Sequence, residues 1–241
     1  MKLEVLASGS KGNCYLLHTS CGIIILEAGV PWDTVLRALK FNITNVLCCL
    51  ITHEHMDHAK YALEYQKNGI LLDMTEGTRT KICTNKTIAL KNKIIGKNGI
   101  VISKFDTQHD AIEPCGYYIE DTNTRESLVF ATDTYYVKYL FPNVNYIMVE
   151  CNYAEDILKE NIENGIINGS RIRRLRESHF ELNNVKKFII ANDSKNLKDV
   201  ILLHLSDQNS DVERFKREMQ RVTLARINIA KKGLKVDLGG V

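Results

Sequence analysis

The chain lacks the marks of a membrane or disulfide-built protein. It has no apolar run near the roughly 20 residues that cross a bilayer as a helix. Met1-Lys2-Leu3-Glu4 leads straight into a strand-like segment, so no cleavable leader is expected. With three prolines, no repeat and no low-complexity stretch, no linker is visible, and residues 1–241 read as a single domain. The seven cysteines (Cys14, Cys21, Cys48, Cys49, Cys83, Cys115 and Cys151) are odd in number and show no C-x-x-C spacing. That argues for free thiols in a reducing, cytoplasmic setting. An excess of one charge is missing too. The formal net charge of +3 is too small to indicate a polyanionic partner.

What is present is ordinary in amount and unusual in placement. A hydrophobic fraction of 44% supplies a substantial core, and 25% charged residues is a normal globular value. The cations are clustered. Thr78 to Lys104 holds Arg79, Lys81, Lys86, Lys91, Lys93, Lys97 and Lys104 with no acid between them, and Arg171, Arg173, Arg174 and Arg176 form a second group. Either is a solvated face or a set of phosphate contacts.

Strand-like segments dominate the first half: Leu3–Ala7, then Cys14–Thr19 and Ile23–Glu27 as a hairpin about Ser20-Cys21-Gly22, then Val46–Ile51. Pro31–Phe41 and Ala59–Lys67 read as helices, and Ile70–Leu72 as a short strand. Further strands are expected at Ile100–Phe105, Gly116–Glu120, Ser127–Ala131, Asn145–Glu150 and Val200–Leu203. Residues 154–192 look helical, broken near Gly165, Gly169 and Ser178-His179-Phe180. Asp211–Val222 is an amphipathic helix, and Ala225–Ala230 with Leu234–Leu238 reads as a closing pair of strands.

Three of the seven histidines fall in Thr52-His53-Glu54-His55-Met56-Asp57-His58, directly after an apolar strand. Imidazole and carboxylate suit zinc, manganese or iron. The context then repeats, for apolar strands also run into His109, Asp133 and His204. A packed sheet gathers strand ends, so these residues can converge. Seven such side chains suit two metals better than one. A pair of ions about 3.5–4 Å apart activates a shared water and clamps a phosphoryl centre.

H-x-H-x-D-H followed by a separate His, Asp and His resembles the motif set of the metallo-β-lactamase superfamily, over nearly the whole chain. The resemblance implies an α+β fold, an αββα sandwich of two mixed β-sheets flanked by helices. It implies that His53, His55 and His109 hold one metal, that Asp57, His58 and His204 hold the other, and that Asp133 bridges. Zinc is the expected ion, with manganese as the alternative.

Finer features resemble the YycJ/WalJ branch: Ser8-Gly9-Ser10-Lys11-Gly12-Asn13, Ala131-Thr132-Asp133-Thr134, Glu150-Cys151-Asn152 and His204-Leu205-Ser206. Members of that branch are metal-dependent DNA exonucleases. The resemblance therefore implies a phosphodiester hydrolase using a metal-bridging hydroxide, with Asp57 and Asp133 catalytic and His179 as proton donor or phosphate contact. The chain departs from the branch at Glu27, where an Asp is usual, at Tyr153, where a His is usual, and around His179. The implied partner is a nucleic acid or nucleotide phosphodiester, with no membrane and with a homodimer left open. A cyclic-nucleotide phosphodiesterase, a thioester hydrolase and a non-catalytic metal-binding module are the competing readings.

Overall fold

The computed structural model describes residues 1–82, the backbone of 93–95, and residues 99–167 and 172–240. Cys83, Lys86, Lys91, Lys97, Gly169, Arg171 and the side chain of Lys93 lie outside that description.

Thirteen described strands form two mixed sheets. The first contains β1 (Lys2–Ala7), β2 (Cys14–His18), β3 (Ile23–Leu26), β4 (Val46–Leu50) and β5 (Leu72–Asp73), with the late strand β13 (Lys235–Asp237) beside β1. The β2–β3 hairpin forms as expected, with Tyr15 opposite Leu26 and His18 opposite Ile23, and β3, β4 and β5 then run parallel. The second sheet contains β6 (Lys93–Ile95), β7 (Ile100–Asp106), β8 (Cys115–Asp121), β9 (Glu126–Ala131), β10 (Tyr146–Glu150), β11 (Asp199–Leu203) and β12 (Arg226–Ile229) in sequential order. Its pairings are antiparallel from β6 to β9 and parallel from β9 to β12.

Alternation along the strands sorts side chains into three layers. Leu3, Val5, Tyr15, Leu17, Ile24 and Leu26 meet Ile102, Tyr117, Phe130, Met148, Ile201 and Leu203 between the sheets. The other face of the first sheet presents Leu16, Ile25, Cys49 and Ile51 to Trp32 and Val35 of α1 (Trp32–Ala38) and to Ala62 and Tyr65 of α3 (Ala62–Lys67). The outer face of the second sheet presents Val129, Ile147, Val149, Val200 and Leu202. Helices α7 (Leu182–Asn192) and α8 (Val212–Gln220) cover it with Leu182, Val185, Ile189, Phe215 and Met219. Strands buried on both faces read as unbroken apolar runs, which is why VLCCL, YIMVE and DVILL lack a polar alternation. The result is the expected αββα sandwich.

Two local readings change. The helix expected at Ala59–Lys67 is two pieces, α2 (Met56–Ala59) and α3, the first of them inside the histidine motif. The closing pair does not pair with itself. Val200 of β11 lies opposite Ile227 of β12, while Leu3 of β1 lies opposite Val236 of β13. The turn at Lys231–Gly233, with Gly233 at φ +86°, passes the chain from one sheet to the other. Splitting the pair lets Ile227 join the layer under α8 while Val236 and Leu238 fill the space between the sheets. A hairpin would have left two sheet edges unpaired.

Strand direction gathers the chemistry. Strands β7, β9, β10 and β11 share one direction, because two antiparallel steps separate β7 from β9 and parallel pairing follows. Their C-terminal ends therefore deliver His109, Asp133, Glu150 and His204 to one edge, while β3 and β4 deliver Glu27 and the H-x-H-x-D-H segment.

Candidate metal centre

The motif leaves β4 in extended backbone and turns into α2 at His55, whose carbonyl accepts from the His58 and Ala59 amides at 2.9 and 2.8 Å. Two segments lock that turn. The Asn13 amide donates to the Asp57 carbonyl at 2.7 Å, and the Ala28 amide donates to the His58 carbonyl at 2.7 Å. A Cβ on Gly29 would sit 1.8 Å from the Asp57 carbonyl oxygen, so only glycine lets the two backbones approach this closely. Glu27, Asp133 and His204 adopt φ of +67°, +45° and +50°. Left-handed backbone on three non-glycine residues at strand ends costs on the order of 1–3 kcal/mol each and marks a functional constraint.

His53, His55 and His109 present ring nitrogens that lie within 4.8 Å of one another. Their hydrogen bonds fix which nitrogens are bare. The Thr52 hydroxyl donates to Glu27 Oε1 at 2.6 Å, so its oxygen is left to accept from His53 Nδ1 at 2.9 Å. His53 Nε2 is then an unprotonated lone pair, buried and without a hydrogen-bond partner. His109 Nδ1 faces the Ser178 carbonyl at 2.8 Å, and a carbonyl only accepts. His109 Nε2 is thereby left bare, 3.1 Å from His55 Nδ1. Burial is the main force holding both His53 and His109 below the ordinary histidine range, so both rings are neutral at physiological pH. Neutral, oriented imidazoles converging on one point are what a divalent cation requires.

Asp57, His58, Asp133 and His204 form the adjoining group. His58 Nε2 stands 3.3 Å from both Asp57 Oδ2 and Asp133 Oδ1. His204 Nε2 stands 3.5 Å from Asp57 Oδ2 and has no hydrogen-bond partner. Asp133 also reaches the first group, with Oδ2 3.9 Å from His109 Nε2. Burial opposes a charged His204, but Asp133, Asp57 and Glu150 outweigh it and push the group up to about 10. His58 is raised for the same reason, with Asp133 and Glu27 overcoming burial. Against burial, His204 and His58 hold Asp133 well below the usual carboxylate range. Oriented nitrogen lone pairs, two carboxylates and two orphaned buried nitrogens fit a pair of divalent cations on chemical grounds.

No family model matches the chain. It is 27% identical over 234 residues to exodeoxyribonuclease WalJ of Streptococcus pneumoniae, covering 87% of this chain and 83% of the relative. It is 28% identical over 175 residues to exodeoxyribonuclease YycJ of Bacillus anthracis, 66% of each. Among solved structures, the metallo-β-lactamase fold protein YhfI from Bacillus subtilis superposes with a TM-score of 0.68 at 16% identity, over 98% of both chains. The chain is thus similar in sequence to the WalJ and YycJ exodeoxyribonucleases and has the metallo-β-lactamase fold.

All seven expected ligand residues fall into two adjoining donor groups, and His179 stands beside them. The His179 ring stacks on that of His204 at 5.6 Å and lies 5.7 Å from that of His109. Its Nδ1 is 2.6 Å from Glu150 Oε1. Burial opposes protonation of His179, but the Glu150 charge prevails and raises its pKa.

Sequence reasoning missed the weight of Glu150. This fully buried acid also contacts His204 Nδ1 at 3.1 Å and accepts from the Thr134 and Phe180 amides at 3.0 and 3.1 Å. Its signal was available: it is one more acid ending an apolar strand. Asn13 and Asn152 belong to motifs singled out in the sequence but were given no role at the site: Asn13 Nδ2 lies 3.1 Å from His58 Nε2, and Asn152 Nδ2 donates to the His204 carbonyl at 2.8 Å. No periodicity or spacing marks either asparagine.

The described members of the basic clusters are mostly tied to acids. Lys104 bonds buried Asp73, Arg79 bonds Glu76, Arg173 bonds Glu177, Arg174 bonds Asp110, and Arg176 pairs with Glu155. Arg174 reaches toward the centre through Asp110, which follows His109 and lies 3.3 Å from its Nε2. No helix among the described residues is long and apolar enough to cross a membrane.

Proposed function

We propose that this hydrolase cleaves phosphodiester bonds of DNA from strand ends, using two divalent cations. The observation that carries the reading is the pair of donor groups joined at Asp133, in a chain similar over most of its length to two exodeoxyribonucleases. His53, His55 and His109 would hold one cation; Asp57, His58 and His204 the other; Asp133 would serve both. Zinc is proposed, with manganese as the alternative. Bound there, the cations would supply Lewis acidity toward the phosphate and a lowered pKa for attacking water.

The chain's own residues supply the rest. Glu27 and Thr52 fix the His53 tautomer, and the Ser178 carbonyl fixes that of His109. Asp57 sits at the edge of the second group, at 22% side-chain exposure, where it can orient the nucleophile. His179, backed by Glu150, keeps a proton on Nδ1 and is positioned to give its other ring proton to the departing oxygen. The net change is one P–O bond broken, one formed from water, and one proton passed to the leaving alcohol.

The test is side-by-side assay of zinc- and manganese-loaded protein on end-labelled single-stranded DNA, duplex DNA, RNA and cyclic mononucleotides. Mononucleotide release from DNA ends, lost on chelation, is the expected result. Turnover of cyclic mononucleotides alone replaces the nuclease reading with a small-molecule phosphodiesterase. No turnover by metal-loaded protein overturns both.

A further inference from the structure

Large apolar side chains are exposed where they should be hardest to justify. Met56 is 65% exposed, Ile112 60%, Tyr135 39% and Tyr136 55%, and each stands within three positions of a proposed ligand. The two tyrosines are the most informative. They follow Asp133-Thr134, and their backbone is pinned rather than loose. The Thr134 amide donates to Glu150 Oε2 at 3.0 Å, and the Tyr135 amide donates to the Gln108 carbonyl at 3.1 Å. Thr134 Oγ1 accepts from the Gln108 amide at 2.9 Å and donates to the Tyr136 carbonyl at 2.8 Å. This turn is thus fastened both to the buried acid behind His179 and to the loop carrying His109. Among the described residues, neither ring joins an aromatic pair and neither hydroxyl has a hydrogen-bond partner.

A rigid turn holding two unpartnered aromatic rings beside a phosphodiester site has one well-matched occupant. On the phosphodiesterase reading, a scissile phosphate held at Asp133 brings its substituents toward this turn, two and three residues further along the chain. In a nucleic acid those substituents end in flat π-faced bases, and base–aromatic stacking needs no particular sequence. Bases locked in a duplex do not offer free faces, so the match is to an unpaired end. The described cations nearby are largely spent on acids, which leaves stacking a larger share of the grip. We propose that Tyr135 and Tyr136 form a stacking subsite for unpaired bases flanking the scissile phosphate of single-stranded DNA. The inference rests on the phosphodiesterase reading and deepens it.

The experiment separates the two. Binding is read by fluorescence anisotropy with full-length protein in chelator, using a labelled single-stranded oligonucleotide and an equal-length oligomer of abasic sugars. The double variant Y135A/Y136A should bind the base-bearing strand about 10- to 100-fold more weakly. It should bind the abasic strand as the unmodified protein does. Y135W/Y136W should retain base-bearing affinity, which shows that the turn tolerates substitution. An alanine variant within twofold of the parent on the base-bearing strand overturns the subsite. So does an equal loss on both strands, which reports a disturbed fold. Failure of the parent protein, loaded with zinc or manganese, to cleave either strand tells against the nuclease reading instead and is seen without any tyrosine variant.

Discussion

At the scale of single residues, the seven expected ligands converge in two groups whose rings are oriented from behind by Thr52, Ser178 and Glu150. Replacing Asp133 by Ala removes the carboxylate that faces both donor groups and the largest of the charges that keep His58 and His204 protonated. Bound metal per chain, read by elemental analysis, should fall by at least one equivalent in Asp133→Ala and in His58→Ala. Turnover should fall below detection while circular dichroism stays near that of the parent. His179→Ala should behave differently. A positioned proton donor contributes about 10²- to 10⁴-fold, so kcat should drop in that range with metal content unchanged. Loss of metal in that variant would move His179 from proton transfer to ligation. The two donor groups were legible because strand-terminal histidines and acids recur in one pattern. Glu150 shares that pattern as an acid ending an apolar strand, but its role shows only once His179 and His204 are placed against it.

At the scale of elements, the centre depends on loops that meet from different strands. Glu54, between two proposed ligands, accepts the Ile112 amide on Oε1 at 3.0 Å and so joins the H-x-H-x-D-H turn to the loop of His109. That loop is held from its far side too, where the Thr75 hydroxyl donates to the Glu113 carbonyl at 2.6 Å and the Gly77 amide donates to Glu113 Oε2 at 2.6 Å. Glu54→Ala should therefore weaken metal binding about 10- to 100-fold, the usual cost of losing a residue that orients ligands. Glu54→Gln keeps an acceptor oxygen and should restore most of the affinity. Competition with a chromophoric chelator measures both, and an unchanged affinity in the alanine variant removes Glu54 from this role. Gly29→Ala is a harsher test, because the added methyl meets the Asp57 carbonyl. It should lower Tm and metal content together.

Elements were read well where burial imposes a long pattern, as in the apolar strands β4, β10 and β11. They were read less well where a choice of partner decides. Residues 225–238 have the alternation of two strands, but alternation does not say which sheet each joins. The short helix α2 was hidden for a related reason: four residues are too few to show a period, and its turn is held by contacts from Asn13 and Ala28 rather than by propensity.

At the scale of the whole molecule, the sandwich gathers carboxylates and imidazoles whose charge is balanced either by protons or by a cation. In the absence of metal, neighbouring carboxylates hold His204 at about 10 and His58 above its ordinary value. Both rings are then protonated at neutral pH. A cation takes the lone pairs that those protons occupy, so binding must expel protons. The sign follows directly. Lowering pH favours the protonated, metal-free form, and raising it toward 10 favours the loaded form. Calorimetric titration with zinc at pH 7.5 in buffers of different ionisation enthalpy should show net proton release, and metal affinity should rise from pH 6 to pH 9. His53 and His109 contribute little to that slope, since burial already keeps them neutral. Metal that binds the native chain alone also stabilises it by mass action, by about 2.7 kcal/mol per site at a hundredfold excess over Kd. Chelation should then lower Tm by several degrees, and by more at pH 8 than at pH 6, because protons substitute for the cations at the lower pH. A Tm loss on chelation that is independent of pH would mean that His58 and His204 do not exchange protons for metal.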